Sequence, residues 1–166
     1  DGYYNTFIGF ETGYKNKSNY NTFLGYKAGA NADTEDKNYN VGLGVFSGRV
    51  NSGKSNVFLG VSSGEHNSGD SNVFLGNNSG SCNDGDQNVF LGTNSGKNND
   101  DGAKNVFIGY NTGASNDNAN ESVFIGNEAG KNNREGGSNV FIGHQAGLGN
   151  ETGNENVFIG SSTGAQ

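Results

Sequence analysis

The chain has 166 residues, 30 of them glycine, with no proline, methionine or tryptophan and only 30% apolar residues. Such a composition suits a disordered chain unless its few apolar residues are placed in order. A net charge of −7 argues against nucleic acid and anionic membrane surfaces as partners, and a lone Cys82 excludes an intrachain disulfide and a cysteine-based metal site.

Glycine and asparagine recur every few residues, so no helix is expected. No apolar run approaches membrane-spanning length. The chain begins at Asp1 without a signal peptide or an initiator methionine, as expected of a processed product or a piece of something longer.

In chain order, the first apolar element is NTFIG at Asn5 to Gly9, centred on Phe7. The second, NTFLGYKAG at Asn21 to Gly29, is centred on Phe23. The third, NVGLG at Asn40 to Gly44, has Gly42 where the others have Phe. Seven more follow, centred on Phe58, Phe74, Phe90, Phe107, Phe124, Phe141 and Phe158. Successive centres lie 16, 19, 16, 16, 16, 17, 17, 17 and 17 residues apart. The consensus is N-[VT]-F-[IL]-G-x-x-[AST]-G followed by a polar spacer. That periodicity makes 1–166 one repeat domain of ten coils.

Each phrase is rich in β-branched and aromatic residues, which favour strands. Two glycines four residues apart mark corners, and the Asn, Asp and Ser spacers mark turns. One repeat is therefore one coil of 16–19 residues, and stacked coils pair in parallel. The expected fold is an all-β parallel β-solenoid. Phrase-opening asparagines (Asn56, Asn72, Asn88, Asn105, Asn139, Asn156) and spacer asparagines (Asn16, Asn51, Asn67, Asn83, Asn99, Asn116, Asn133, Asn150) should stack as amide ladders.

Strand residues alternate faces, so Val140 and Ile142 oppose Phe141, and both faces of each strand are apolar. The expectation places Val and Ile/Leu in the lumen opposite the small residues Ser95, Thr112, Ala129 and Ala146, large against small. Phe7, Phe23, Phe58, Phe74, Phe90, Phe107, Phe124, Phe141 and Phe158 then form an outer stripe that serves as an oligomer interface. The reverse assignment, Phe inside, also leaves an apolar face needing a partner. In the third coil, Phe46 is expected either to fill the gap left at Gly42 or to mark a local irregularity beside the long spacer at 31–39.

The repeat NVFIGxxAG resembles the head repeats of trimeric autotransporter adhesins, close to NSVAIGxxS. It resembles still more closely the NTFIGYQAG repeats of bacterial surface proteins and phage tail fibres, as in NTFLGYKAG at Asn21 to Gly29. The resemblance covers the whole chain and implies a left-handed β-roll, three chains side by side as a homotrimer. Phe in place of the adhesins' small Ala, and a period of 16 or 17 rather than about 14, depart from the pattern.

No catalytic set can be assembled. His66 and His144 lie in different coils, and GxxxxGK[ST] is absent. Cys82 reads as a surface thiol. The acidic pairs Asp84/Asp86, Asp100/Asp101 and Glu35/Asp36 raise calcium, but without the GGxGxD nonapeptide they read as solvated turns. No cofactor and no metal are expected. Six of seven tyrosines (Tyr3, Tyr4, Tyr14, Tyr20, Tyr26, Tyr39) crowd the first forty residues among Lys15, Lys17, Lys27 and Lys37. They are expected to cap the solenoid or to contact a glycan or partner. The functional expectation is a non-enzymatic structural or adhesive segment of an extracellular, cell-surface or virion-surface fibre, attaching to host, matrix or glycan through its turns. An ice-binding solenoid is the alternative, and its best column mixes Thr12, Ala28, Ser79 and Ala129.

Overall fold

The computed structural model describes residues 2–32 and 38–165. Its fourteen strands are β1 (Thr6–Ile8), β2 (Thr22–Leu24), β3 (Val41–Leu43), β4 (Val50–Asn51), β5 (Val57–Leu59), β6 (His66–Asn67), β7 (Val73–Leu75), β8 (Cys82–Asn83), β9 (Val89–Leu91), β10 (Asn98–Asn99), β11 (Val106–Ile108), β12 (Val123–Ile125), β13 (Val140–Ile142) and β14 (Val157–Ile159). The three-residue strands form one ten-stranded sheet in the order β1-β2-β3-β5-β7-β9-β11-β12-β13-β14. The two-residue strands form a second sheet, β10-β8-β6-β4. Every pairing is parallel and in register with the repeat, so Phe107 lies beside Phe90 on one side and Phe124 on the other. The chain is a parallel β-solenoid of about nine turns, and the described residues contain no helix.

The lumen is the reverse of the expected one. Phe23, Phe58, Phe74, Phe90, Phe107, Phe124 and Phe141 are at most 1% exposed, and Phe7 and Phe158 pack against them at the two ends. The Val and Ile/Leu columns face outward, with Val57 and Leu59 about two-fifths exposed. The Phe column is therefore the core of one chain and not an oligomer interface.

Two physical reasons place it there. A planar ring stacks at the rung spacing of a parallel sheet, and from Phe74 to Phe141 successive centroids stand 4.7–4.9 Å apart with planes within 8°. The wall opposite is also empty enough to admit it. A Cβ on Gly113, the second corner glycine, would stand 2.5 Å from the Phe107 ring. The small residues do face the lumen as expected, but it is Phe they accommodate. Ser63, Ser79 and Ser95 donate their hydroxyls to the carbonyls of Phe74, Phe90 and Phe107 in the next coil.

Asparagine fills the rest of the interior. The spacer asparagines form an amide-to-amide ladder, Asn67 Nδ2 donating to Asn51 Oδ1 at 2.7 Å, Asn83 to Asn67 at 2.8 Å and Asn99 to Asn83 at 2.7 Å. The phrase-opening asparagines bond differently from expectation. From Asn56 to Asn139, each asparagine Oδ1 accepts the main-chain N–H of the next coil's counterpart, as in Asn72 to Asn56 and Asn88 to Asn72, while each Nδ2 donates to a spacer carbonyl one coil on. Ser122 takes this place in one coil and receives the N–H of Asn139 at its hydroxyl. These columns are buried, so an unpaired amide there would cost on the order of 1–3 kcal/mol.

The third coil resolves the Phe46 question. A Cβ on Gly42 would strike the Phe23 ring, so Phe23 leans over the missing position. Phe46 turns outward, edge-on to Tyr26 at 5.5 Å and under the Arg49 guanidinium at 5.1 Å. It does not fill the gap.

Corners need left-handed backbone at four places in most coils. Two are glycines. The other two carry ordinary residues with φ between 50° and 62°: the residue three before the phrase centre (Tyr4, Ser71, Lys104) and the one four after it (Glu11, Ser62, Asn111). No β-branched residue occupies either column, as expected where that backbone strains them most.

Candidate interaction surface

The outer face of the ten-stranded sheet is what the fold leaves uncovered. Its floor is two columns, Thr6, Thr22 and then Val at one position, and Ile or Leu at the other. Among the described residues nothing packs over it, and in the second to fourth coils the floor is exposed throughout.

The borders change along the rod. In the first three coils one border carries Tyr4, Tyr20 and Tyr39, stacked at 4.8 and 5.1 Å with planes within 19°. The other carries Phe10 and Tyr26, stacked at 5.7 Å, and then Val45 and Val61. Further on, the same two borders read Ser71, Gln87, Lys104, Glu121, Ser138 and Glu155 on one side, and Asn77, Thr93, Tyr110, Asn127, His144 and Ser161 on the other. The face is thus wide and aromatic at one end and narrow, with polar edges, over the rest.

The tyrosines singled out from the sequence do not act as one group. Tyr4, Tyr20 and Tyr39 form one border and Tyr26 the other. Tyr14 is exposed beside Lys15, whose Nζ stands 5.4 Å from its ring, and Tyr3 donates its main-chain N–H to Asn19. Stacking has a chemical consequence: rings that face one another present edges and hydroxyls outward, whereas sugar recognition needs a free ring face. Lys27 spans to Glu11 in the preceding coil at 3.3 Å, and hydrogen bonds from its ammonium to Tyr26 and Glu11 raise its pKa.

Other candidate groups are separate. His66 and His144 are exposed on different coils, and Cys82 is an exposed thiol in register with His66. Asp70 and Asp86 have structural work, since their carboxylates accept the main-chain N–H groups of Lys54 and Asp70 in the coil before. Asp84 accepts from the Ser68 hydroxyl. Among the described residues no three His, Cys, Asp or Glu side chains are placed to hold a metal ion. Glu35, Asp36 and Lys37 lie outside the described residues. In the column considered for ice, Ala28, Ser79 and Ala129 are fully buried against the Phe stack, so that column cannot meet a crystal face.

Sequence reasoning missed this surface because it put the Val and Ile columns inside. The signal was present. Asn56 and Phe58 have the same parity in one strand, so an asparagine read as an internal staple requires a Phe that also points inward. No protein-family model, no curated protein and no solved structure matches the chain.

Proposed function

We propose that the chain is a non-enzymatic structural segment of a fibre on a cell or virion surface, in which copies associate laterally as a homotrimer and present their turns to host, matrix or glycan. The observation that carries this reading is an apolar sheet face running the full length of a solenoid whose lumen is already filled by its own Phe and Asn columns. Such a face is larger than soluble monomers commonly leave bare. The number three, the surface location and the adhesive role rest on the resemblance of the repeat to adhesin heads and tail-fibre segments. A rod with hydrogen bonds continuous from coil to coil supplies the stiffness such a segment needs.

Light scattering of the chain over a range of concentrations tests the proposal. A mass of three chains at micromolar concentration is the expected result. A well-folded monomer at about 100 µM overturns it, since an association weaker than that gives less than roughly 5–6 kcal/mol.

A further inference from the structure

We propose that the contact between copies is led by an aromatic clasp at the N-terminal end, in which the Tyr4, Tyr20 and Tyr39 ridge of one chain packs against the Phe10, Tyr26 and Val45 ridge of a second copy lying parallel to it. This rests on the association proposed above and specifies where and how it occurs.

Three observations select a second copy as the occupant. The first is extent. Ten rungs about 4.8 Å apart and seven residues of width give a face of roughly 800 Å², about what one partner contributes to a standard protein interface. A rod of equal length matches it; a small ligand does not. The second is ring geometry. The two ridges offer ring edges and hydroxyls, because the ring faces are spent on one another within each stack. Ring edges suit another apolar ridge set side by side with them, where they bury area while the Tyr hydroxyls stay at the wet rim.

The third observation is the gradient along the borders, which fixes direction. Set parallel, coil against coil, the Tyr4, Tyr20 and Tyr39 ridge meets Phe10, Tyr26 and Val45, and polar borders meet polar borders further along: Ser71 opposite Asn77, Gln87 opposite Thr93, Ser138 opposite His144. Set antiparallel with the same face buried, each border meets its own kind from the far end: the tyrosines of the first coils meet Glu155, Ser138 and Glu121, and Phe10, Tyr26 and Val45 meet Ser161, His144 and Asn127. That arrangement buries aromatic rings against carboxylates and amides without partners. In the homotrimer proposed above, each chain offers its tyrosine ridge to one neighbour and its Phe10 ridge to the other, so the contact is heterologous and closes into a ring of three.

The test uses the fold's own tolerance. Ser55, Ser71 and Ser138 occupy the tyrosine column with the same left-handed backbone (φ 59°, 61° and 56°), so serine fits there. The triple variant Tyr4→Ser, Tyr20→Ser, Tyr39→Ser is compared with Lys104→Ser, Glu121→Ser, Glu155→Ser by sedimentation equilibrium, with circular dichroism confirming that both fold. The tyrosine variant is expected to associate at least tenfold more weakly and the control to match the parent. With no tryptophan and six of seven tyrosines at this end, intrinsic emission reports the clasp directly and should change on dilution of the parent. If the parent associates and both variants associate equally well, the clasp is wrong and the fibre reading stands. If the parent is monomeric, both fall. Direction is read by cross-linking Ser55→Cys, Val61→Cys in a Cys82→Ser background. Parallel copies bring the two thiols to one level and form interchain disulfides on oxidation, and their absence overturns the parallel arrangement.

Discussion

Replacing Phe107 with alanine tests the inside-out assignment of the two apolar columns. Its ring lies between Phe90 at 4.9 Å and Phe124 at 4.7 Å and is fully buried. Truncating a buried Phe costs about 3–5 kcal/mol, counting the cavity it leaves. Two stacked neighbours, each worth about 0.5–1.5 kcal/mol beyond area, push the value toward the upper end. Relaxation pushes it back. Phe23 leaning over Gly42 shows how a neighbouring ring covers a vacancy, and Phe90 or Phe124 has the same freedom, so about 4 kcal/mol is expected. Val106, one residue earlier on the same strand, is only half-buried on the outer face, and Val106→Ala should cost the isolated chain about 0.5 kcal/mol. Urea denaturation followed by far-ultraviolet circular dichroism, at a concentration where the chain is monomeric, measures both. Coils interact only with their neighbours, so the Phe107 variant should also unfold less cooperatively, in two parts. Equal costs for the two variants, or a cost below about 1 kcal/mol for Phe107→Ala, would refute the argument.

Asn99→Ala removes one rung of the amide ladder. It leaves Asn83 Oδ1 with only a 3.3 Å bond from Asn88, and thermal melting should show a loss of about 2 kcal/mol. Ser62 sits at φ 53°, so Ser62→Val should destabilise by about 1–2 kcal/mol while Ser62→Asn stays within about 0.5 kcal/mol, despite the similar exposure of the two replacements. Hydrogen bonds from Lys131 and then Gln145 hold the Glu128 carboxyl below its ordinary pKa. Its contribution to stability is therefore complete above the unfolded value and is lost as pH falls through the lowered folded value. Glu128→Gln should flatten the acid limb of a melting-temperature profile below about pH 4.5, and an unchanged limb would show that the pair contributes nothing.

Much of this fold is legible in the residues. The recurrence of the phrase gives the coil, the glycine pair gives its corners, and the Asn columns announce internal ladders. Which apolar column lies inside was also written there, through the shared parity of Asn56 and Phe58, but amphipathic alternation alone does not reveal it when both faces are apolar. The positive-φ columns were hidden for a different reason. Tyr4, Lys104 and Glu121 carry no sign of left-handed backbone one at a time, and only the lack of Val, Ile and Thr down a whole column betrays it. Phe46 could not be placed from sequence because its direction depends on that backbone and on Phe23 claiming the space first.

The distribution of aromatic residues connects the core to the surface. Of the ten before residue 47, only Phe7 and Phe23 lie in the lumen column; of the eight after it, only Tyr110 lies outside. All ten coils share one backbone register, so the register itself does not require the first three to export their rings. The third coil even gives up its core Phe at Gly42 while placing Tyr39, Val45 and Phe46 outside the lumen. A coil that loses a stacking partner inside and gains apolar surface outside is less stable alone on both counts. Burial of that surface by another molecule reverses the second loss, and two facing ridges confined to these coils localise where that burial occurs.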